Sequence, residues 1–531
     1  MKRRDFLTST VAFGAAATLP ISWAHAQSRA ESLRVLSEGA ANSLDTFSVG
    51  VNRNSIQVSW NIYDRLVSFA YKDMGDGVGY YDYFNIQPQL AESFEMAADK
   101  KSITFKLRPD ATFHDGTPVT AADVKWSMDR VVASPIGASQ FKTGSMTSPD
   151  QFVVVDDLTF RVDLPQPDRF ALPNLALTYP IIVNSKLALQ HATTDDPFAM
   201  EWLQANAAGG GAFKVAQMDV GEKILFERFD DWKSGHLPGF KRVLWQTVAT
   251  AETRVASLIR GDADIAQDLP PKDVQSLLDN PDVKVIGVPT SSFQFLGMNG
   301  ALPPFDNKLV RQAIAYALPY DDMFQTALFG RGRALHGGKP GAPDSIAYPQ
   351  ESGYSTDLDK ARALLAEAGM ADGFKTTFSY ELSQATIAEP VALLLQEALG
   401  KIGIEVEIEK VPAGQLGTML QDKKVPFYFE GSTAYLADPD YFFRVFYTGD
   451  SRWNFGAYQN PEFGELVAAA RYEADEAVYE AQVKRMIELV KDEIPIIILW
   501  HPALDTGMQN DIEGYSFTFH RQLELKTLKR S

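Results

Sequence analysis

The sequence predicts an α/β fold in which helices cover mixed β-sheets, and three patterns carry that expectation. Ile103, Phe105 and Leu107 alternate with Thr104 and Lys106, the two-residue period of a half-buried strand. Thr120 and Asp123 form a capping-box start to a helix whose Val124, Ser127, Met128 and Val131 share one face. Strand and helix signals of these two kinds then alternate along the chain, with no repeat, low-complexity tract or long charge run.

The first 26 residues read as an export signal of the twin-arginine type and stand apart from the fold. Lys2, Arg3 and Arg4 make a basic start, Asp5, Phe6 and Leu7 follow the arginine pair, and Ala24-His25-Ala26 supplies the small-x-small cleavage pattern. The apolar run Val11 to Leu19 is far short of the roughly 20 residues that span a bilayer. Ile494 to Trp500, the other apolar run, is seven residues long and contains Pro495. The mature chain is therefore expected to be soluble and periplasmic.

Later elements follow in order. Gly209-Gly210-Gly211 reads as a flexible turn before a strand from Phe213 to Val215, since no Lys-Ser/Thr follows to make a phosphate loop. Asp306 precedes a helix with Val310, Ile314 and Ala317 on one side, and Asp357 opens another that stops at Gly369. Ile404, Val406 and Ile408 alternate with glutamates in a strand with one wet face.

Composition narrows the function classes. Removing the signal leaves 505 residues, enough for two or three domains. The formal charge of −18 includes a net +2 from Lys2, Arg3, Arg4 and Asp5, which places the remainder at −20. Such a balance argues against nucleic acid and anionic membranes, which need basic patches. The absence of cysteine removes disulfides, thiolate nucleophiles and zinc-thiolate sites together. The six histidines beyond the signal, His114, His191, His236, His336, His501 and His520, fit no metal-ligand spacing, so neither a metal nor a cofactor is expected. His114 beside Asp115 could be acid/base material, but Asp115-Gly116-Thr117-Pro118 is turn chemistry. No GxSxG occurs, and nothing in the sequence asks for an enzyme.

Ordered motifs then carry a resemblance. Pro88 to Phe94, Thr104 to Arg108, and Phe113 to Val124 with Arg130 look like the signature region of the extracellular solute-binding protein family 5. These are the oligopeptide- and dipeptide-binding receptors of ABC importers. Gly209 to Val215, the set Arg254, Leu258, Gly261, Asp262 and Asp264, Leu296 to Asn299, Pro304 to Asp306, Val310 to Ala315, Ala361 to Gly369, Asp438-Pro439, Asn460-Pro461 and Pro495-Ile496 match as well. The resemblance implies a two-lobed periplasmic binding protein fold. Lobe I would comprise 27–290 plus 500–531, with an extra subdomain at about 66–179, and lobe II 291–499. Two crossing strands, near Val285 to Thr290 and near Trp500, would join them. It further implies a small organic ligand between the lobes, a membrane-embedded ABC permease as partner, and a monomer.

The chain departs from the dipeptide binders of that family where they carry Gly-Trp-x-x-Asp, whose aspartate pairs with the peptide amino terminus. Here Gly431 is followed by Ser432, and Tyr435 holds the aspartate position; no arginine lies between Phe374 and Gln396 to meet a peptide carboxylate. A buried ammonium without a counter-charge costs several kcal/mol, roughly, so an ordinary free dipeptide is disfavoured. An opine, a sugar, an aromatic acid or a conjugate suits the flat face and hydroxyl of Tyr435 better. The resemblance adds Ser37 and Asn42 after the first strand, Phe293 and Phe295 beside the first crossing, and Trp453, Asn454 and Phe455 in a cleft-facing loop. An oligopeptide binder of the same family is the alternative, and a periplasmic chaperone or hydrolase on this fold the second.

Overall fold

The computed structural model describes residues 29–47, 50–289, 292–412, 414–434, 436–449, 451, 453–517 and 522–531. The expected export signal, 1–26, and the candidate Tyr435 lie outside the described residues.

The first half is built around β1 (Ser32–Ser37), with Leu33 and Val35 fully buried. The helix Arg53–Ile62 follows, capped by Asn52, whose Oδ1 accepts from the Ser55 N–H at 2.9 Å. β2 (Val67–Asp73) and β3 (Gly79–Pro88) form an antiparallel ribbon, and the short strand Ser516–Phe517 runs parallel along β3. β4 (Ala91–Met96), β5 (Ser102–Leu107), β6 (Phe152–Asp156) and β7 (Thr159–Asp163) make a second, antiparallel sheet in the order β4-β5-β7-β6. The predicted alternation holds in β5, where Ile103, Phe105 and Leu107 are buried. The helix Ala121–Ala133 buries Val124, Ser127, Met128 and Val131 as read, and the Thr120 N–H donates to Asp123 Oδ2 at 3.0 Å.

β8 (Phe213–Asp219), β9 (Lys223–Arg228) and β10 (Arg242–Thr247) form a meander laid beside β1, which pairs with β10 in parallel. The glycine run before β8 is not a flexible turn. A methyl group at Gly209 would sit 2.0 Å from the Ile62 carbonyl oxygen, and one at Gly211 2.6 Å from the Ile62 carbonyl carbon. Glycine is required here because two backbones touch, and the run is packed tight.

β11 (Ile265–Ala266) flanks β1 on its other side. The motif Arg254 to Asp264 explains itself in this region. Fully buried Arg254 donates to the carbonyls of Val248, Ala249, Gln267 and Asp268 at 2.6, 2.9, 3.1 and 2.6 Å, so one guanidinium satisfies four carbonyls of two loops.

β12 (Val283–Pro289) closes the first half, and the second half holds β13 (Ser292–Met298), β14 (Gly332–Ala334), β15 (Phe374–Glu381), β16 (Ile404–Val411) and β17 (Phe427–Thr433). β15 pairs in parallel with both β16 and β17, and β13 lies antiparallel to β17. Glu405 and Glu407 face out from β16 while Ile404 and Val406 are buried. The helix Lys308–Ala317 is capped by Asn307, whose Oδ1 accepts from the Leu309 N–H at 2.9 Å, and Val310, Ile314 and Ala317 are buried. Asp357 caps the helix Leu358–Glu367, and Gly369 leaves it at φ 75°.

β18 (Ile496–Gln509) ties the halves together. Its residues 503–509 pair with β12 and its residues 496–500 with β13, so one 14-residue strand belongs to both parts of a twelve-stranded sheet. Separate apolar clusters fill the first half, around Val35, Phe226 and Trp245, and the second, around Ile314, Phe378 and Trp500. A further cluster is shared: Phe105, Phe141 and Phe160 of the four-stranded sheet region join Phe293, Phe442 and Phe463 in one contiguous core. Residues of the region 66–179 therefore pack against the second half.

Candidate functional site

β15 lies parallel between β16 and β17; it ends at Glu381, paired with Val411 at the end of β16, and β17 runs on past it to Thr433. The crevice beyond the carboxyl ends of such strands is where open α/β sheets take their ligands. A cavity of about 620 Å³ lies at this edge, inside the roughly 300 to 1,000 Å³ range of small-molecule clefts. Its walls come from β13, β17, the helix Ala385–Gly400 and the helix Pro439–Phe446, with Pro271 of the first half and Pro502 and Ala503 of β18 closing the side.

One wall is aromatic. Asp438 caps the helix Pro439–Phe446, with Pro439 at its first turn, and this places Tyr441 and Phe446 at the cavity beside Phe293 and Trp453. Phe293 meets Phe446 edge to face at 5.3 Å between centroids, which fixes the ring. Trp453 keeps 43% of its surface exposed.

The other wall is polar and carries one carboxylate. Ser292 Oγ and Thr433 Oγ1 lie 2.7 Å apart across the β13–β17 pair, and His501 Nδ1 lies 2.8 Å from the Ser292 carbonyl oxygen. Trp500 donates through Nε1 to Gln294 Oε1. Glu430 Oε1 accepts from the Gly431 N–H at 2.8 Å and from Gln384 Nε2 at 3.2 Å. Burial pushes the Glu430 carboxyl above the usual carboxylate range, and the nearby Glu381 adds to the effect.

The residues singled out by sequence fall into two groups. Phe293, Ser432 and Trp453 line the cavity. Phe295, Asn454 and Phe455 sit behind Trp453, around a void of about 10 Å³, which is the room of one water. Asn454 is committed there: its Nδ2 donates to the Tyr458 carbonyl at 2.9 Å and its Oδ1 accepts from the Tyr458 N–H at 3.0 Å. Ser37 is fully buried, donating to the Gly39 carbonyl at 2.9 Å and accepting from Trp245 Nε1 at 2.8 Å. Asn42 organises the loop before the first helix, donating to the Gly50 carbonyl at 2.9 Å and accepting from Ser55 Oγ at 2.8 Å. Neither Ser37 nor Asn42 lines the large cavity.

Glu430, Gln384, Tyr441 and Phe446 join the site without having been singled out by sequence. A signal existed for three of the four: Glu430 is a single carboxylate directly after the apolar run Phe427-Tyr428-Phe429, and the capped helix after Asp438, which holds Tyr441 and Phe446, is rich in rings. Gln384 gave none. His114, weighed as a catalytic base, is set in a turn with Nε2 at 2.9 Å from the Gly211 carbonyl; burial pulls its pKa down to about 4. Among the described residues no group of three or more His, Asp or Glu side chains converges as a metal set, and no helix is long and apolar enough to cross a membrane.

A family profile described as bacterial extracellular solute-binding proteins, family 5 middle, matches residues 85–454. The chain is 27% identical over 526 residues to the probable D,D-dipeptide-binding periplasmic protein of Escherichia coli K12, covering 97% of each. It is 26% identical over 437 residues to the glutathione-binding protein of Pectobacterium atrosepticum, covering 80% of this chain and 82% of that one. Among solved structures, the agropinic acid complex of a periplasmic binding protein from A. tumefaciens R10 superposes with a TM-score of 0.72 at 26% identity, covering 94% and 99% of the two chains. The ABC transporter-associated periplasmic binding protein DppA of Helicobacter pylori, in complex with the peptide STSA, superposes with a TM-score of 0.73 at 25% identity, covering 94% and 98%.

Proposed function

The chain belongs to the bacterial extracellular solute-binding proteins of family 5, and from that premise we propose that it is the exported receptor of an ABC importer, which captures one small organic solute and presents it to a membrane-embedded permease. One observation carries this reading: the 620 Å³ cavity opens beside β18, the strand that both halves share at the expected crossings. Lobe I (27–290 plus 500–531) and lobe II (291–499) would turn about those crossings. A ligand touching both lobes binds the closed form better and shifts the population toward it. The role is binding, without chemistry on the solute.

The ligand is not an ordinary free dipeptide in this reading. Ser432 and Tyr435 replace the tryptophan and aspartate of the dipeptide binders, and no arginine stands between Phe374 and Gln396. The relatives are named for glutathione and D,D-dipeptides, and one neighbour holds an opine, so the family accommodates conjugates and unusual peptides. The full-length match to the D,D-dipeptide relative favours a modified peptide as the second reading.

The test is to purify the protein without refolding, identify by mass any compound it carries, and screen solutes by thermal shift. A cognate ligand at 100 times its Kd stabilises by about 2.7 kcal/mol, and one narrow chemical class should do so. Equal stabilisation by many unrelated compounds, or by unfolded polypeptides, would overturn the receptor reading.

A further inference from the structure

We infer that Glu430 is the polar anchor of the cavity and that it takes a cationic nitrogen, an ammonium or guanidinium group, of the bound solute. This rests on the reading of the 620 Å³ cavity as the ligand site and names the chemistry that the site selects.

The placement comes from the strand. β17 delivers apolar side chains to two cores, Phe427 and Phe429 to one and Tyr428 to the other. Glu430 stands where the strand leaves both and meets the cavity edge. A carboxylate at that depth is costly unless something compensates its charge. Within the protein the compensation is partial. Two neutral donors, the Gly431 N–H and the Gln384 amide, converge on Oε1. Among the described residues, no Lys, Arg or His forms an ion pair with Glu430, although thirty-two such pairs exist elsewhere. The charge that acts on it, Glu381, is of the same sign. Two fixed donors on one oxygen orient the carboxylate and leave Oε2 to receive a donor from the cavity side.

The opposite wall suits the same ligand. Phe293, Tyr441, Phe446 and Trp453 bring rings to the cavity, and a cation held over an aromatic face is attracted to it. No described cation lines the cavity to receive a carboxylate. The wall therefore selects for positive charge and against the acids that an empty apolar cleft would admit.

The experiment uses two matched series of probes on the full mature chain: tyramine, 4-ethylphenol and 3-(4-hydroxyphenyl)propionate, and pentane-1,5-diamine, pentane-1,5-diol and glutarate. Titration calorimetry and thermal shift are read on the parent and on Glu430→Gln, Glu430→Asp and Glu430→Ala. The amine of at least one series should bind the parent about ten-fold or more tighter than its alcohol and its acid. Glu430→Gln should erase that preference while melting at or above the temperature of the parent, and Glu430→Asp should keep part of it. An alcohol or acid binding as well as the amine, an unchanged preference in Glu430→Gln, or no binding in either series overturns the anchor role. A solute found by the screen above that binds Glu430→Gln as tightly as the parent removes the anchor and leaves the receptor reading standing; a protein that binds no solute at all removes the receptor reading itself.

Discussion

Arg471 and Asp168, 303 residues apart in sequence, form a bidentate pair, with Nη1 at 3.0 Å from Oδ1 and Nη2 at 2.8 Å from Oδ2. The pair joins the four-stranded sheet region to the helices of the second half, and it is almost wholly buried. Asp168 also accepts from Ser145 Oγ and the Phe170 N–H, while Arg471 donates to the Thr143 carbonyl. Next to it the Arg169 guanidinium lies 3.5 Å from the Tyr479 ring centroid, and Tyr479 donates to Asp438, the cap of the aromatic cavity helix.

Breaking a buried pair leaves one charge stranded, so Arg471→Ala or Asp168→Ala should each cost about 3 to 5 kcal/mol of unfolding free energy. The double variant Arg471→Ala/Asp168→Ala should cost much less than the sum. Urea denaturation of the four proteins measures the coupling; additive losses would show that the two side chains act independently.

Trp453 and Phe293 separate binding from packing at one wall. Trp453→Ala should weaken the identified ligand by about ten-fold with little change in the stability of the empty protein, because nearly half of the ring is exposed. Phe293→Ala, at 1% exposure, should cost about 3 to 5 kcal/mol of stability. Calorimetry and denaturation of both variants check the division, and a large stability loss in Trp453→Ala would place it in the core.

Tyr435, at the position where dipeptide binders carry aspartate, has its own test. Tyr435→Ala should lose about 1 to 3 kcal/mol of ligand affinity and Tyr435→Phe less. Free Met-Leu should bind the parent weakly or not at all; micromolar binding would restore the dipeptide reading.

His114 gives a pH dependence with a definite sign. Its folded pKa, about 4, lies below the ordinary value of 6.5, so the unfolded chain takes the proton more readily. The stability it contributes is present above pH 6.5 and is lost as pH falls from there towards 4. At pH 5 the loss from this group is roughly 2 kcal/mol relative to neutral pH. Comparing parent and His114→Gln across that window isolates the contribution; equal slopes would remove His114 as its source.

Export is tested directly. Replacing Arg3 and Arg4 by lysine should leave precursor in the cytoplasm if the twin-arginine route is used, and fractionation reads the result. Unchanged delivery would indicate the general secretory route.

Much of the fold was legible because it is local. The alternation in 103–107 and 404–408, the capping of Ala121–Ala133 by Thr120 and Asp123, and the stop at Gly369 depend on residues within a few positions of each other. The glycine run at 209–211 reads as flexible by sequence because its constraint is the Ile62 backbone, about 150 residues away, and nothing within the run announces that contact.

The same boundary divides the candidate site. By itself the sequence determined the α/β class, the ordered motifs that place the chain among solute-binding proteins, and three cavity residues, Phe293, Ser432 and Trp453. Only the tertiary structure decided that Ser37 and Asn454 spend their hydrogen bonds inside the protein, that Gln384 reaches Glu430, and that Arg471 finds Asp168. The physical reason is that periodicity and capping act between near neighbours along the chain, whereas the environment of a polar group, wet, paired or buried alone, is set by whichever distant segment folding lays against it.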